Sequence, residues 1–171
     1  LAVATAEIGA IAERRTDHLL DQTRSQGLPP FLVEDAGVNS GLMLAQYTPA
    51  AIVSELKRLA VPASVDSIPS SAMQEDHVSM GWGAARKLRQ SVANLGRIVA
   101  CELVCAGRGL EFRHPLEPAA GTRAARAALG DAGVAGAGPD RWLAPDLAAA
   151  EELVVSGGLV AAVEAVTGPL D

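Results

Sequence analysis

An all-α fold is predicted for this chain by three observations: apolar residues recur at helical spacing over long stretches, the apolar stock is aliphatic, and no strand-like alternation is present. Hydrophobic residues make up 49% of the sequence and aromatic residues only 3%, so the core must be built from Ala, Leu, Val and Ile. That stock suits closely packed helices. A chain of 171 residues is long enough for one domain with a sizeable core, burying roughly 70% of its unfolded surface. The expected architecture has long central helices, residues 1–112, forming part of an oligomeric helical bundle, and a tail of short helices over residues 113–171.

The first helix is expected from Leu1 to about Gln22, with Val3, Ile8, Ile11 and Leu19 as its apolar residues and Glu7, Glu13, Arg14 and Arg15 between them. Leu1 stands where no capping residue precedes it, which reads as a start inside a longer pattern. Ser25 to Asn39 carries Gly27, Pro29, Pro30 and Gly37 and predicts an irregular connection, with Leu28, Phe31 and Leu32 turned inward. A second helix should cover Ser40 to Ala60. Pro49 lies inside it, removes one backbone bond and crowds the carbonyl of Ala45, so a kink is expected there rather than a restart capped by Thr48.

Val61 to Ser70 contains Pro62 and Pro69 and cannot continue a helix. Ser71 followed by Gln74 has the spacing of a capping box and predicts a third helix from about Met73 to about Arg108. Leu88, Val92, Leu95, Val99, Leu103, Ala106 and Leu110 alternate steps of three and four, the seam of helices that cross at small angles. Such a helix would be a rod of roughly 54 Å. One chain of this size cannot cover it, which points to burial of its outer length in an oligomer. Beyond Phe112, short helices are expected over Gly121 to Ala132, Asp146 to Val155 and Gly158 to Val166, the last two broken at Ser156 and Gly157.

A net charge of −6 argues against a nucleic-acid partner, because no strongly basic face is left for phosphates. The uncharged run from Ala36 to Ser54 is interrupted by Asn39, Gln46 and Pro49, which spoils it as a membrane span. Cys101 and Cys105 lie one turn apart on a helix, poorly placed for a disulfide and too few for a metal centre. They are expected as reduced, packed thiols in a reducing, cytoplasmic compartment.

Glu75 is the foremost candidate for chemistry. It could be a carboxylate stabilised by a helix N-terminus, worth about 0.3–1 kcal/mol, or a base or ligand for a polar substrate group held in a cavity. Gln74 beside it can both donate and accept, which suits a planar polar substrate. His77 has no other histidine or cysteine at ligand spacing and is expected as a hydrogen-bonded helix histidine, with Asp76 orienting it or capping. Asn39, Ser40 and Gly41 read as a loop followed by an N-cap serine. Gly81 and Gly83 follow no strand and make no dinucleotide fingerprint; on a helix they let another backbone approach. A serine hydrolase finds no support, since no GxSxG elbow occurs.

Several blocks together resemble the aromatic amino acid ammonia lyases, most closely those that act on histidine: AEIGAIAERR at 6–15, GLPPFL at 27–32, GVNSGLMLAQ at 37–46, SVDSIPSSAMQEDHVSMG at 64–81, AARKLR at 84–89 and RWLAPDL at 141–147. The resemblance covers nearly the whole chain and implies its C-terminal helical part, in a bundle shared by four subunits. It implies elimination of ammonia from L-histidine to trans-urocanate, by an electrophilic methylidene-imidazolone that the family makes from an Ala, Ser, Gly tripeptide. Glu75 is similar to the family's catalytic residue beside the substrate imidazole, and Gln74 to a substrate-binding neighbour. The phenylalanine enzymes lack this Gln–Glu pair. No Ala, Ser, Gly tripeptide occurs in these residues, so the cofactor is expected in a missing upstream half and this chain alone is expected to be inactive. A related tyrosine or phenylalanine lyase or aminomutase, and a non-catalytic helical assembly module, remain as alternatives.

Overall fold

The structure, a computed structural model, describes residues 1–170. Six α-helices follow in order: α1 (Ala2–Leu20), α2 (Met43–Leu59), α3 (Gly81–Glu111), α4 (Ala120–Asp131), α5 (Ala144–Val155) and α6 (Gly158–Thr167), with one 3-10 turn at Pro30–Leu32. No sheet forms among the described residues, and the all-α expectation holds. The longest helix, α3, is the hub: α1, α2 and α5 pack along it, while α4 pairs with α6. Its 31 residues make a rod of about 46 Å.

Two apolar clusters hold this arrangement. Ala6, Ala12, Val53, Leu56 and Ile98 join α1, α2 and α3 at one end. Leu20, Leu28, Leu32, Leu42, Ala45, Val104, Cys105, Leu129 and Ala150 join the other end to the tail. Leu28 and Leu32 are buried as expected, although Phe31 and Leu32 adopt positive φ to get there.

The seam that α3 turns inward is not the one of large aliphatic residues. Ser91, Asn94, Ile98, Cys101, Cys105 and Arg108 are buried, again at steps of three and four. Leu88, Leu95, Val99, Leu103, Ala106 and Leu110 are only half-buried, and Val92 is exposed. The cause is the close approach of α1, whose buried face is Thr5, Ala6, Gly9, Ala12 and Thr16. A Cβ built on Gly9 would stand 2.7 Å from Leu56 Cδ1 and 3.1 Å from Ile98 Cδ1. The missing side chain of Gly9 is what lets Leu56 and Ile98 fill the space there. Val3, Ile8 and Ile11, the expected apolar face of α1, are 65%, 51% and 48% exposed. Polar ties complete the inner seam, with the Glu55 carboxylate of α2 accepting from Gln90 Nε2 at 2.7 Å and Asn94 Nδ2 at 3.0 Å. Cys101 and Cys105 are free and buried; burial pushes the Cys101 thiol up to about 11 and the Cys105 thiol up further.

Three local expectations are corrected. First, α3 starts at Gly81, not Met73, and Met80 precedes it without any side-chain cap, so the Ser71–Gln74 capping box does not form. Second, α2 starts at Met43, and Ser40 is not its N-cap. Asp140 from the tail instead ties down the residues ahead of the helix: it accepts from Ser40 N at 2.8 Å and Gly41 N at 2.7 Å, while Asp140 N donates to Asn39 Oδ1 at 3.1 Å. Third, α2 runs unbroken through Pro49 with no non-helical residue inside, and Thr48 bonds back to Leu44 O at 3.2 Å instead of capping a restart. The short tail helices match their expected spans to within two residues, and Gly157 turns between α5 and α6 at φ +76.

Two predictions concern the crossing of 31–33 with 40–42, where Leu42 N donates to Phe31 O at 2.9 Å. Gly41 has φ +58, and a Cβ there would lie 2.5 Å from Phe31 O and 2.8 Å from Val33 Cβ. Gly41→Ala should therefore destabilise the fold by roughly 2–4 kcal/mol in denaturant titration; an unchanged midpoint would refute the packing described. The backbone hydrogen bonds from Ser40 and Gly41 hold the Asp140 carboxyl below the usual carboxylate range. A carboxyl with a lowered folded pKa contributes stability above its unfolded value and loses it as pH falls through the folded one. Asp140→Ala should thus be less stable than the parent chain at pH 7, with the gap closing below about pH 4. A gap independent of pH would contradict this.

Candidate substrate-binding loop

Residues 61–80 link α2 to α3 as a loop on the outside of the bundle. Pro62 and Pro69 bar a helix here, and the chain instead closes on itself. Ser70 and Glu75 pair as an isolated antiparallel bridge, with Ser70 N donating to Glu75 O at 2.9 Å and Glu75 N to Ser70 O at 3.3 Å. Gln74 N donates to Ser71 O at 3.0 Å inside this turn. Ser71, Ala72 and Met73 carry φ of 53, 52 and 72 between the bridge partners. Three successive residues with side chains in the left-handed region are strained, at a cost of order 1 kcal/mol or more each, and such strain persists only where surrounding ties over-determine it.

Those ties are visible at both ends of the loop. Val78 N donates to Ser67 Oγ at 2.9 Å across its neck. Lys87, one turn into α3, donates from Nζ to Val61 O. Gly83 in the first turn of α3 admits the loop closely, since a Cβ there would touch Ala63 Cβ at 3.7 Å. Small residues at the start of α3 thus do let another stretch of backbone approach.

Glu75 and Gln74 are both exposed, side by side at the tip. Ser70 Oγ donates to Glu75 Oε2 at 2.8 Å, which engages one of the two carboxylate oxygens. Neither residue stands at a helix N-terminus, so dipole stabilisation does not account for Glu75. Asp76 and His77 are exposed on the same loop, and the expectation of a histidine bonded on a helix is corrected: residues 76–80 are irregular. Asp76 caps no helix.

The tip can offer a planar polar ligand one carboxylate oxygen and one amide that both donates and accepts. Among the described residues no group of three His, Cys, Asp or Glu side chains is placed to hold a metal ion, and no helix is long and apolar enough to cross a membrane. Sequence reasoning missed Ser70 and Ser67. Their signal was the serine pair flanking Ile68–Pro69, readable only once the helix is ended at Gly81.

Comparison with known proteins places this geometry. Residues 1–131 match the family model described as aromatic amino acid lyase. The histidine ammonia-lyase of Streptomyces avermitilis is 68% identical over 170 residues, covering 99% of this chain and 33% of that protein. That of Symbiobacterium thermophilum is 60% identical, over 100% of this chain and 33% of that protein. The chain therefore spans about a third of the length of the curated relatives it matches. Among solved structures, histidine ammonia-lyase from Trypanosoma cruzi superposes with a TM-score of 0.91 at 40% identity, over 97% of this chain and 33% of that one. Tyrosine aminomutase from Streptomyces globisporus superposes with a TM-score of 0.93 at 32% identity, over 99% of this chain and 32% of that one. With residues 1–131 matched by the family model, the chain belongs to the aromatic amino acid lyase family.

Proposed function

We propose that this chain supplies one wall of the substrate pocket of a histidine ammonia lyase, the whole enzyme eliminating ammonia from L-histidine to give trans-urocanate. The observation that carries the reading is the Gln74–Glu75 tip, with Ser70 holding one oxygen of Glu75 and leaving the other for a donor. An imidazole N–H is such a donor, and the adjacent Gln74 amide can meet the ring's second polar atom. Relatives at 60–68% identity that carry the name histidine ammonia-lyase favour histidine over other aromatic amino acids.

Glu75 acts here as the catalytic group that binds and orients the ring, and as a base it can hold a proton at Oε1. Gln74 binds substrate. The electrophile that the family uses, a methylidene-imidazolone, supplies the pull on electrons that makes the amine a leaving group. None of these 171 residues forms the Ala, Ser, Gly tripeptide it is made from, so the chain's own part is confined to binding, orientation and proton handling. The exposed aliphatic seam of α3 and the exposed Val3, Ile8 and Ile11 of α1 support a homo-oligomer, a tetramer in this reading, and the buried reduced thiols suit the cytoplasm.

The close superposition on a tyrosine aminomutase favours one second reading, a related enzyme acting on tyrosine. Turnover of histidine, tyrosine and phenylalanine by the assembled enzyme separates the two. Urocanate formation is expected; its absence beside turnover of tyrosine would overturn the assignment. In the same assay Glu75→Gln should lower histidine turnover at least about 100-fold while leaving the oligomer's size unchanged. Ser70→Ala should lower it less, because the carboxylate remains but its orientation is lost. Full activity in Glu75→Gln would remove Glu75 from the mechanism.

A further inference from the structure

At the opposite end of α3 from the loop, the last turns of that helix, α4 and residues 134–136 line an open cavity of about 370 Å³. Its charged lining is Arg108, Glu111, Arg123 and Arg126. Three guanidinium groups against one carboxylate leave two positive charges, in a chain whose net charge is −6. So local an inversion of sign has a physical cost. Arg123 and Arg126 lie three apart on one face of α4, where like charges destabilise a helix.

Arg108 carries the larger cost. It is only 4% exposed, and its Nε and Nη2 are sealed from solvent without a hydrogen-bond partner. A guanidinium does not escape this by losing its proton, so an unpaired buried charge persists. The acidic groups nearby are already engaged. Glu111 accepts from Ala137 N at 2.6 Å and pairs with Arg126 at 3.5 Å. Asp146 pairs with Arg141 at 2.8 Å, and burial together with the Arg141 charge pushes the Arg108 pKa down. An anion in the cavity would reverse that direction and offset the repulsion on α4.

We propose that this cavity binds a small dianionic oxyanion of the phosphate class, with Arg108 at its wall and Arg123 and Arg126 at its mouth. Two uncompensated positive charges match a phosphate near neutral pH; the exposed forks of Arg123 and Arg126 match its oxygens in pairs, while the buried Arg108 charge acts through the cavity wall. The volume admits either inorganic phosphate or the phosphate of a small phosphomonoester. The site lies away from the Gln74–Glu75 tip and does not depend on the lyase assignment.

Isothermal titration of the chain with inorganic phosphate, at ionic strength held constant with chloride, tests it. Saturable one-to-one binding is expected, weakened at least about tenfold in Arg123→Ala/Arg126→Ala, whose substitutions lie on the exposed face of α4 and should leave the helical circular dichroism unchanged. Arg108→Met should abolish binding without lowering the melting midpoint, since it removes a buried charge that has no partner. Tighter binding of glycerol phosphate than of phosphate identifies a phosphomonoester as the natural occupant, and weaker binding identifies the free ion; both support the site. Absence of saturable heat, equal affinity in the double variant, or tighter binding of a dicarboxylate such as succinate would overturn it.

Discussion

The structure depends on how closely α1 lies against α3. At Gly9 there is no room for even a Cβ between the axis of α1 and the side chains of Leu56 and Ile98. Gly9 leaves the room that Leu56 and Ile98 fill, and the rest of the seam that α3 turns inward is mostly small or polar, with Ser91, Asn94, Cys101 and Cys105. The same contact leaves Leu88, Val92, Leu95 and Val99 of α3 and Val3, Ile8 and Ile11 of α1 uncovered or half-covered. These aliphatic side chains stay uncovered by the described residues, in a chain that spans about a third of the length of its relatives.

A second consequence concerns the loop. The helix α3, packed against α1, α2 and α5, carries the ties of the loop, from Gly83 in its first turn and Lys87 in its second. The strain at Ser71, Ala72 and Met73 is then held in place by the Ser70–Glu75 bridge. What this achieves is a carboxylate of set orientation at the end of a long lever, rather than a frayed helix start with mobile polar groups. Orientation of this kind is what a pocket wall needs and what a solvated cap does not.

Much of this was legible in the sequence. Helical periodicity, with Gly and Pro as punctuation, located six helices among the described residues, and the blocks from Ala6 to Leu147 identified the family. The failures share one physical origin: local patterns compete with ties between distant residues. Ser71 and Gln74 have the spacing of a capping box, yet the bridge from Ser70 to Glu75 wins because Ser67, Val78, Val61 and Lys87 pin the loop from outside it. Ser40 looks like an N-cap, yet a carboxylate 100 positions away takes its amide. On α3 two seams of equal period were available, and the choice between them lies in the small residues of α1, which a pattern read along one helix does not contain. The cation-lined cavity at the far end of α3 was invisible for the same reason, since Arg108, Arg123 and Arg126 come together only through the turn at Pro115–Pro118.

In the function proposed above, Ser70 holds one oxygen of Glu75 and the other meets the substrate ring. A crystal structure of the assembled enzyme with L-histidine or urocanate bound tests it most directly. The account predicts the Glu75 carboxylate within roughly 2.6–3.2 Å of an imidazole nitrogen, with Ser70 Oγ still on the other oxygen. An imidazole held by other groups, with Glu75 turned to solvent and bonded to Ser70 alone, would contradict it.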